Sequence, residues 1–266
     1  MIPTDQNIVM PLKAQNALDR HFGETLNWQL ILSEGTRHPL FQAEFDSRHW
    51  IARVEPDTQT APGVDPWREQ RVLRALYANE WAISAELIMP DLGLLLMPFA
   101  GRLIARDELS AAQVDEICCA VQQMHRISDV PLLDYAALFM RYREAFSRSL
   151  PGMGQLVDET EALLATLPDI GECLVHHDLH TGNMLWGRHL TLIDWEYAGL
   201  GNPWLDYATL ERDVGLTLRQ LQSFERLSAF EPQEMEHWLA CAIQVIDQLE
   251  TLWQHFNQLQ IEQPEN

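Results

Sequence analysis

Three polar side chains in the second half of the sequence have types and spacing that suit a reaction assisted by a metal ion. They lie in residues 174–197, which read LVHHDLHTGNMLWGRHLTLIDWEY. Asp178 and Asn183 precede a short apolar run, Asp194 follows a second one, and a two-residue turn at 187–188 predicts a hairpin between the runs. The hairpin would bring Asn183 and Asp194 together, and an amide oxygen beside a carboxylate suits a hard cation such as Mg²⁺.

Asp178 is the candidate proton acceptor of this stretch. It precedes Asn183 on a predicted loop, where a carboxylate can take a proton from a hydroxyl nucleophile. The loop also offers an alternative, because it carries a dense set of possible zinc ligands: His176, His177, Asp178 and His180. Zinc or a metal pair held there would activate water for hydrolysis. The chain has no second His-rich cluster, however, and a hydrolase would leave Asn183 and Asp194 without a role.

The order of these residues resembles a known group of enzymes. The pattern His176-x-Asp178-x-x-x-x-Asn183, followed by Ile193-Asp194, is similar to the catalytic loop and metal-binding aspartate of kinases. The fuller text, HHDLHTGN and then LIDWEYAGLGNPWLDYA, resembles the aminoglycoside phosphotransferase and choline kinase superfamily. Within it, the chain looks closest to the choline, ethanolamine and thiamine kinase branch. The match is specific from residue 174 to residue 209 and looser elsewhere.

The resemblance implies a fold and a reaction. The fold class is α+β: a two-lobed protein-kinase-like fold, with a small antiparallel β-sheet lobe and a larger, mainly helical lobe. Residues 1–99 would form the N-terminal nucleotide-binding lobe, and residues 100–266 would form the C-terminal catalytic and substrate-binding lobe. The implied reaction transfers the γ-phosphate of ATP to the hydroxyl of a small alcohol, with ATP and Mg²⁺ as cofactors.

The resemblance also assigns roles around the loop. Asp178 would orient or deprotonate the substrate hydroxyl, while Asn183 and Asp194 would hold Mg²⁺ against the ATP phosphates. His176 would shape the loop by packing and hydrogen bonding. Asp206 would brace the loop, although an ordinary helix N-cap is an alternative interpretation of that residue.

Two charged residues of the predicted small lobe correspond to the kinase ion pair. Arg53, in the third predicted strand, takes the position of the cation that contacts ATP, and its guanidinium can grip a phosphate through two donors. Glu69, on a helix predicted over residues 67–77, would pair with it. The alternatives are an outward-facing strand arginine and a helix-surface pair of Glu69 with Arg68 or Arg74.

The nucleotide would be held by two further segments. Met97 and Phe99 lie where the resemblance expects the hinge whose backbone hydrogen-bonds the adenine. Residues 33–38 occupy the place of a phosphate-covering loop, but the segment contains only one glycine, which limits the close approach of backbone to phosphate. Because of this degenerate loop, a nucleotide-binding module without transfer activity is an alternative function.

The substrate is expected to be a small cation. Four residues follow the metal aspartate closely and are predicted to bind it: Trp195, Glu196, Tyr197 and Trp204. Aromatic rings beside a carboxylate attract a quaternary ammonium or thiazolium, although packing of the helical lobe would also use such rings. Thiamine, choline and ethanolamine fit the resemblance best, an aminoglycoside is the alternative, and a sugar such as methylthioribose fits less well.

Composition limits the classes of partner that the protein is expected to bind and its expected location in the cell. The net charge of −21 repels nucleic acid and anionic membranes, and it suits a cationic substrate, although solubility alone would also explain it. The four cysteines show no CxxC spacing, so no disulfide framework or zinc knuckle is expected. The sequence starts without a signal-peptide pattern, and its most apolar stretch, residues 92–100, is too short to span a bilayer. A cytoplasmic location is therefore expected.

Periodicity predicts the remaining elements. The predicted strands are residues 28–32, 40–45, 50–54, 85–89 and 94–97. The predicted helices are residues 11–22, a segment that begins after an N-cap at Ser110, and residues 132–150, 154–167, 206–224 and 233–260. Pro151 and Gly152 would separate two of these helices, and His125 is interpreted as structural.

Overall fold

A computed structural model describes residues 9–31, 38–55, 60–147 and 150–262. The first half of the chain builds one antiparallel sheet of five strands in the spatial order β1-β2-β3-β5-β4. These strands are β1 (Gln29–Ile31), β2 (Leu40–Phe45), β3 (Arg48–Val54), β4 (Leu87–Met89) and β5 (Leu94–Pro98). The central strand β3 is buried throughout residues 50–54, because both of its edges are paired and both of its faces are covered.

Helix α1 (Leu12–Phe22) closes one face of this sheet. Its buried residues Ala14, Ala17 and Leu18 recur at the spacing of one helix face. They join Phe41, Trp50 and other sheet residues in a hydrophobic cluster that is separate from the main core. The small lobe therefore has its own core.

Helix α2 (Pro66–Leu76) connects the sheet to the rest of the molecule. It begins at the N-cap Asp65, whose carboxylate accepts hydrogen bonds from the backbone N–H groups of residues 67 and 68, and a proline follows the cap as helices prefer. Its buried residues Val72, Leu73 and Leu76 belong to the larger hydrophobic core. The helix thus belongs by sequence to the first half and by packing to the second.

The second half is mainly helical. Its helices are α3 (Ala111–Met124), α4 (Tyr135–Phe146), α5 (Pro151–Leu164), α6 (Trp204–Thr209), α7 (Leu218–Leu221) and α8 (Pro232–Glu262). Helix α8 packs against α4, α5 and α6. Ser110 is the N-cap of α3 and forms a capping box with Gln113, as its residue type suggests.

Two small sheets pack against helices α2 and α3. Strand β7 (Cys173–Val175) pairs with β10 (Gly199–Gly201), while β6 (Arg102–Leu103), β8 (Met184–Trp186) and β9 (Leu190–Leu192) form the other sheet. At Gly101, just before β6, a Cβ would lie 2.4 Å from the carbonyl carbon of Trp186. Only glycine allows the chain leaving β5 to pass this close to the β8 backbone.

The structure confirms the predicted α+β class, with an antiparallel sheet followed by a mainly helical part. The boundary at residue 99 stays a prediction. Three local predictions were wrong. Pro151 begins α5 instead of separating two helices, since proline suits the first turn. The predicted helix 206–224 is broken at Gly215, which has φ +86°. The loop between β8 and β9 has three residues, 187–189, and not two.

Among the described residues, no helix is both long and apolar enough to cross a membrane.

Candidate active site

A chain of charges crosses from the small sheet to the segment after β9. Arg53 on β3 donates from Nη2 to Glu69 Oε2 on α2 at 2.5 Å and from Nη1 to Asp194 Oδ1 at 3.0 Å. Its side chain is 7% exposed, so the interpretation as an outward-facing strand arginine was wrong. The predicted pairing of Glu69 with Arg53 is present, and one guanidinium therefore orients carboxylates from both halves of the molecule.

Burial and neighbouring charges shift the pKa values of these three residues. Burial raises the pKa of Glu69, and the charge of Arg53 offsets only part of the rise. Burial and the nearby charge of Glu196 raise the pKa of Asp194. For Arg53, burial works against the charged form, but Glu69 and Asp194 together raise its pKa. Several carboxylates therefore surround the single positive charge of Arg53, and this arrangement favours the binding of a further cation.

Asp178 lies in the loop between β7 and β8. The amide nitrogen of Asn183 donates to Asp178 Oδ2 at 2.8 Å and to the Asp178 carbonyl at 2.9 Å. His180 Nε2 lies 3.5 Å from Asp178 Oδ1. Burial works against ionisation of Asp178, but its contacts with His180 and Asn183 lower its pKa. The carboxylate is thus held ionised and oriented, as a proton acceptor requires.

The loop around Asp178 is fixed by a buried carboxylate. Asp206 on α6 is fully buried and accepts hydrogen bonds from the backbone N–H groups of His176 and His177, at 3.0 Å each. His125 Nε2 lies 3.0 Å from the same carboxylate. His176 contributes separately, with its Nε2 2.9 Å from the carbonyl oxygen of Ile193. The loop backbone is therefore tied to α6 and to the segment that carries Asp194.

The residues around Asn183 and Asp194 fit a hard divalent cation. The Asn183 amide nitrogen is occupied by Asp178, which leaves the amide oxygen to act as a ligand. Asp194 binds Arg53 through one oxygen only and is about one-third exposed. A cation would also relieve the repulsion that raises the pKa of Asp194. Amide and carboxylate oxygens are the ligands that Mg²⁺ prefers, and Mg²⁺ bound with a nucleotide needs only one or two from the protein.

The zinc interpretation of the histidines does not agree with the geometry. Over the ranges that the structure covers, no three His, Cys, Asp or Glu side chains converge where a metal ion could be held. The His176 ring reaches the Ile193 carbonyl, and His177 Nε2 lies 2.8 Å from the hydroxyl of Tyr135. The two rings therefore have separate partners, because the loop backbone at His177 adopts a left-handed conformation with φ +67°.

His177 gives the protein a testable pH dependence. Burial lowers its pKa to about 4, so between pH 6.5 and 4 the unfolded chain binds a proton that the folded protein does not. Stability is then lost as the pH falls through this window, by about 3 kcal/mol at most. In His177→Asn, which tolerates the positive φ, we expect this part of the loss to disappear. Urea unfolding at pH 7 and pH 4.5 for both proteins measures it, and equal pH dependence would contradict it.

Two of the predicted substrate contacts are corrected by the structure. Trp195 and Trp204 are 1% and 0% exposed, and their indole N–H groups donate to the carbonyls of Leu192 and Pro168. Both rings belong to the hydrophobic core, because their large apolar area stabilises the fold most when it is fully buried. Tyr197 is half-buried with its ring against Gly63.

Glu196 reaches the site through a contact that the sequence did not suggest. Its Oε2 lies 2.9 Å from Nε2 of His38, which comes just before β2. Burial works against ionisation of Glu196, but the hydrogen bond and charge of His38 lower its pKa. No periodicity or motif links residues 158 positions apart, so only the folded chain reveals this pair.

Residues 33–37 of the predicted phosphate-covering loop lie outside the described residues.

The predicted hinge overlaps the end of β5, with Met97 inside the strand and Phe99 directly after it. Met97 is half-buried and Phe99 is 54% exposed. The backbone N–H of Phe99 donates to the carbonyl of His49 at 2.9 Å. That donor is therefore occupied by the sheet, which leaves the Phe99 carbonyl and side chain for any contact with a nucleotide.

A cavity of about 660 Å³ opens beside the Asp178 loop. The loop contributes His180 and Thr181, and the other lining residues are Arg106, Arg212, Asp213, Asp247 and Glu250. Arg212 donates to Asp213, Asp247 and Glu250. Three carboxylates thus face two guanidinium groups, and the described lining includes no Trp, Tyr or Phe. No pattern in the sequence indicates this cavity, because its walls come from segments distant along the chain.

Comparison with known proteins adds a family and a fold. Residues 29–238 match the model of the family described as "Phosphotransferase enzyme family". Comparison with curated protein sequences gives no significant match.

Solved structures similar to this chain include the choline kinase LicA from Streptococcus pneumoniae, with 19% identity, a TM-score of 0.70, and coverage of 94% of this chain and 92% of that one. A choline/ethanolamine kinase family protein from Mesorhizobium loti has 18% identity and a TM-score of 0.62, with coverage of 90% and 82%. The ADP-bound aminoglycoside phosphotransferase APH(2'')-Ib has 16% identity and a TM-score of 0.61, with coverage of 94% and 98%. At these identities the likeness establishes the fold, and it confirms the two-lobed arrangement expected from the sequence.

Proposed function

Because the chain belongs to the phosphotransferase enzyme family, we propose that it transfers the γ-phosphate of ATP to the hydroxyl of a small cationic alcohol, with Mg²⁺ as cofactor. One observation carries the proposal. An ionised carboxylate, Asp178, is oriented by Asn183 in the loop next to the Arg53, Glu69 and Asp194 chain of charges. A proton acceptor and a charged clamp are the two parts that phosphoryl transfer to an alcohol requires.

The roles of this chain's residues follow from the contacts. Asp178 accepts the proton of the attacking hydroxyl, and the amide of Asn183 keeps its carboxylate facing the acceptor. Arg53, held by Glu69, presents positive charge to the ATP phosphates. Asn183 and Asp194 would hold Mg²⁺, which when bound neutralises phosphate charge. Catalysis then depends mainly on positioning and on electrostatic stabilisation.

The acceptor is proposed to bind in the cavity beside the Asp178 loop. His180 and Thr181 place one wall of that cavity on the loop itself, so a bound hydroxyl can approach Asp178. The three carboxylates of the lining offer acceptor oxygens to a cation or to a hydrogen-bond donor of the substrate. Thiamine, choline and ethanolamine remain the proposed class, in agreement with the resemblance of residues 174–209.

The cavity also supports a second candidate, an aminoglycoside. Carboxylates recognise primary ammonium and hydroxyl groups through hydrogen bonds, whereas a quaternary ammonium is best held by aromatic faces. Trp195 and Trp204 are buried in the core and cannot form such a cage. This observation favours acceptors that donate hydrogen bonds, such as ethanolamine or kanamycin, over choline.

A substrate panel tests the proposal. Mg²⁺-dependent ADP release from ATP is measured with thiamine, choline, ethanolamine, kanamycin and methylthioribose, and Asp178→Asn is run beside every compound. We expect turnover with at least one cationic alcohol that the variant loses. Tight Mg·ATP binding without turnover of any compound would favour the binding module. Failure to bind nucleotide would contradict the kinase proposal.

A further inference from the structure

We propose that Arg68 is a positioning residue, which holds α2 against the segment after Asp194 and thereby fixes the Glu69–Arg53 pair. This inference rests on the proposed function. It concerns a side chain whose hydrogen bonds, within the described residues, go to backbone carbonyls and not to Asp178, Asn183 or Asp194. The sequence suggested this arginine only as a surface partner of Glu69.

Arg68 donates hydrogen bonds to three backbone carbonyls in two segments of the chain. Its Nε donates to the carbonyl of Ala198 at 2.9 Å, and its Nη2 donates to the carbonyl of Glu196 at 3.0 Å. The same Nη2 also donates to the carbonyl of Gly63 in the loop before α2. The residue is 6% exposed, so these bonds lie in the interior of the protein.

Arg68 lies against a closely packed strand. A Cβ at Gly199, the first residue of β10, would lie 2.9 Å from the carbonyl oxygen of Pro131, 3.0 Å from the backbone nitrogen of Leu133 and 3.2 Å from Cδ of Arg68. The glycine therefore makes room first for the neighbouring backbone and also for the arginine stem. Burial lowers the pKa of Arg68, and the charges of Asp65 and Glu69 oppose this effect. Burying a guanidinium that is hydrogen-bonded only to carbonyls costs free energy, because the charge loses its contact with water. This cost indicates that Arg68 has a geometric role.

That role follows from the neighbours in sequence. Glu69 is the next residue of α2 and binds Arg53, while the Glu196 carbonyl lies two residues beyond Asp194. Arg68 thus fixes the distance between the helix that orients Arg53 and the segment that carries Asp194. Two sets of contacts hold helix α2: the ion pair of Glu69 with Arg53, and the hydrogen bonds of Arg68 to backbone carbonyls. The Arg68 bonds keep the helix in place when Arg53 turns toward a phosphate.

The test compares Arg68→Lys with Arg74→Met, which replaces an exposed arginine of the same helix. Lysine retains charge and reach but cannot bond three carbonyls in a fixed fork. We expect Arg68→Lys to fold, as a thermal melt will show, and to bind Mg·ATP about tenfold more weakly. With the acceptor identified by the panel, kcat should fall about 10- to 100-fold while the KM for that acceptor is unchanged. Arg74→Met should match the wild type in thermal stability, Mg·ATP affinity, kcat and KM.

A double-mutant cycle separates positioning from general loss of stability. If Arg68 acts through Glu69, the weakening of Mg·ATP binding in Arg68→Lys combined with Glu69→Gln will be smaller than the product of the single effects. Unchanged Mg·ATP affinity in Arg68→Lys, or effects that multiply, would overturn the inference. A wild-type protein that binds no Mg·ATP would instead contradict the proposed function, so the two failures are distinguishable.

Discussion

Replacing Asp178 with asparagine is expected to lower kcat by about 10²- to 10⁴-fold, with little change in the affinity for Mg·ATP. The substitution keeps the shape of the side chain and removes its negative charge. Asparagine cannot accept the proton of an attacking hydroxyl, whereas Arg53 and Asp194 keep their mutual contact at 3.0 Å. The loss should therefore fall on the chemical step and not on nucleotide binding.

Asp91→Asn is the matched control for this prediction. Asp91 is an exposed carboxylate in the 3-10 turn between β4 and β5, and the substitution removes the same charge outside the candidate site. Its kcat should equal that of the wild type. Steady-state kinetics and calorimetric titration with Mg·ATP decide between the outcomes. If Asp178→Asn keeps wild-type turnover, Asp178 is not the proton acceptor, and loss of Mg·ATP binding would assign it to the nucleotide site.

The largest loss of stability is expected from Asp206→Ala, about 3–5 kcal/mol in the free energy of unfolding. The fully buried carboxylate accepts hydrogen bonds from the N–H groups of His176 and His177 and lies 3.0 Å from Nε2 of His125. Alanine would leave these groups buried without a partner, and such groups are costly away from water. The Asp178 loop would also lose its attachment to α6, so activity should fall together with stability.

Asp158→Ala provides the comparison for this effect. Asp158 is 67% exposed and pairs with Arg143 at 2.9 Å, and exposed ion pairs contribute about 1 kcal/mol or less. Urea unfolding of both variants at pH 7 measures the difference. Burial works against ionisation of Asp206, but its bond to His125 lowers its pKa below the ordinary 3.8. Its contribution is therefore fully present at pH 7 and is lost only as the pH falls below that value. Equal losses in the two variants would contradict the proposed support of the loop.

Local sequence was sufficient where neighbouring residues alone decide the structure. The hairpin after Asn183 and the strand ending near Arg53 could be predicted because apolar runs, a glycine turn and the period of two depend on near neighbours. The N-cap at Ser110 has the same origin. The family resemblance of residues 174–209 likewise follows from ordered polar residues within a single stretch, and the family match supports it.

Other features depended on which segments meet in space. Trp195 and Trp204 follow Asp194 closely, but their burial is set by helices and strands that pack over them. The His38–Glu196 pair and the bonds of Arg68 to Glu196 and Ala198 join residues more than 100 positions apart, and no pattern within a segment encodes such a meeting. The broken helix at Gly215 shows the same limit, since its apolar spacing resembles that of a continuous helix.

The sequence by itself thus determined most of the local elements, the family and the candidate chemistry of Asp178, Asn183 and Asp194, because each depends on residue types at short spacing. Only the tertiary structure decided that Arg53 is buried between two carboxylates, that the tryptophans belong to the core, and that a cavity with acidic walls lies beside the Asp178 loop. Burial and long-range pairing arise when distant segments exclude water together. That physical condition exists only in the folded chain.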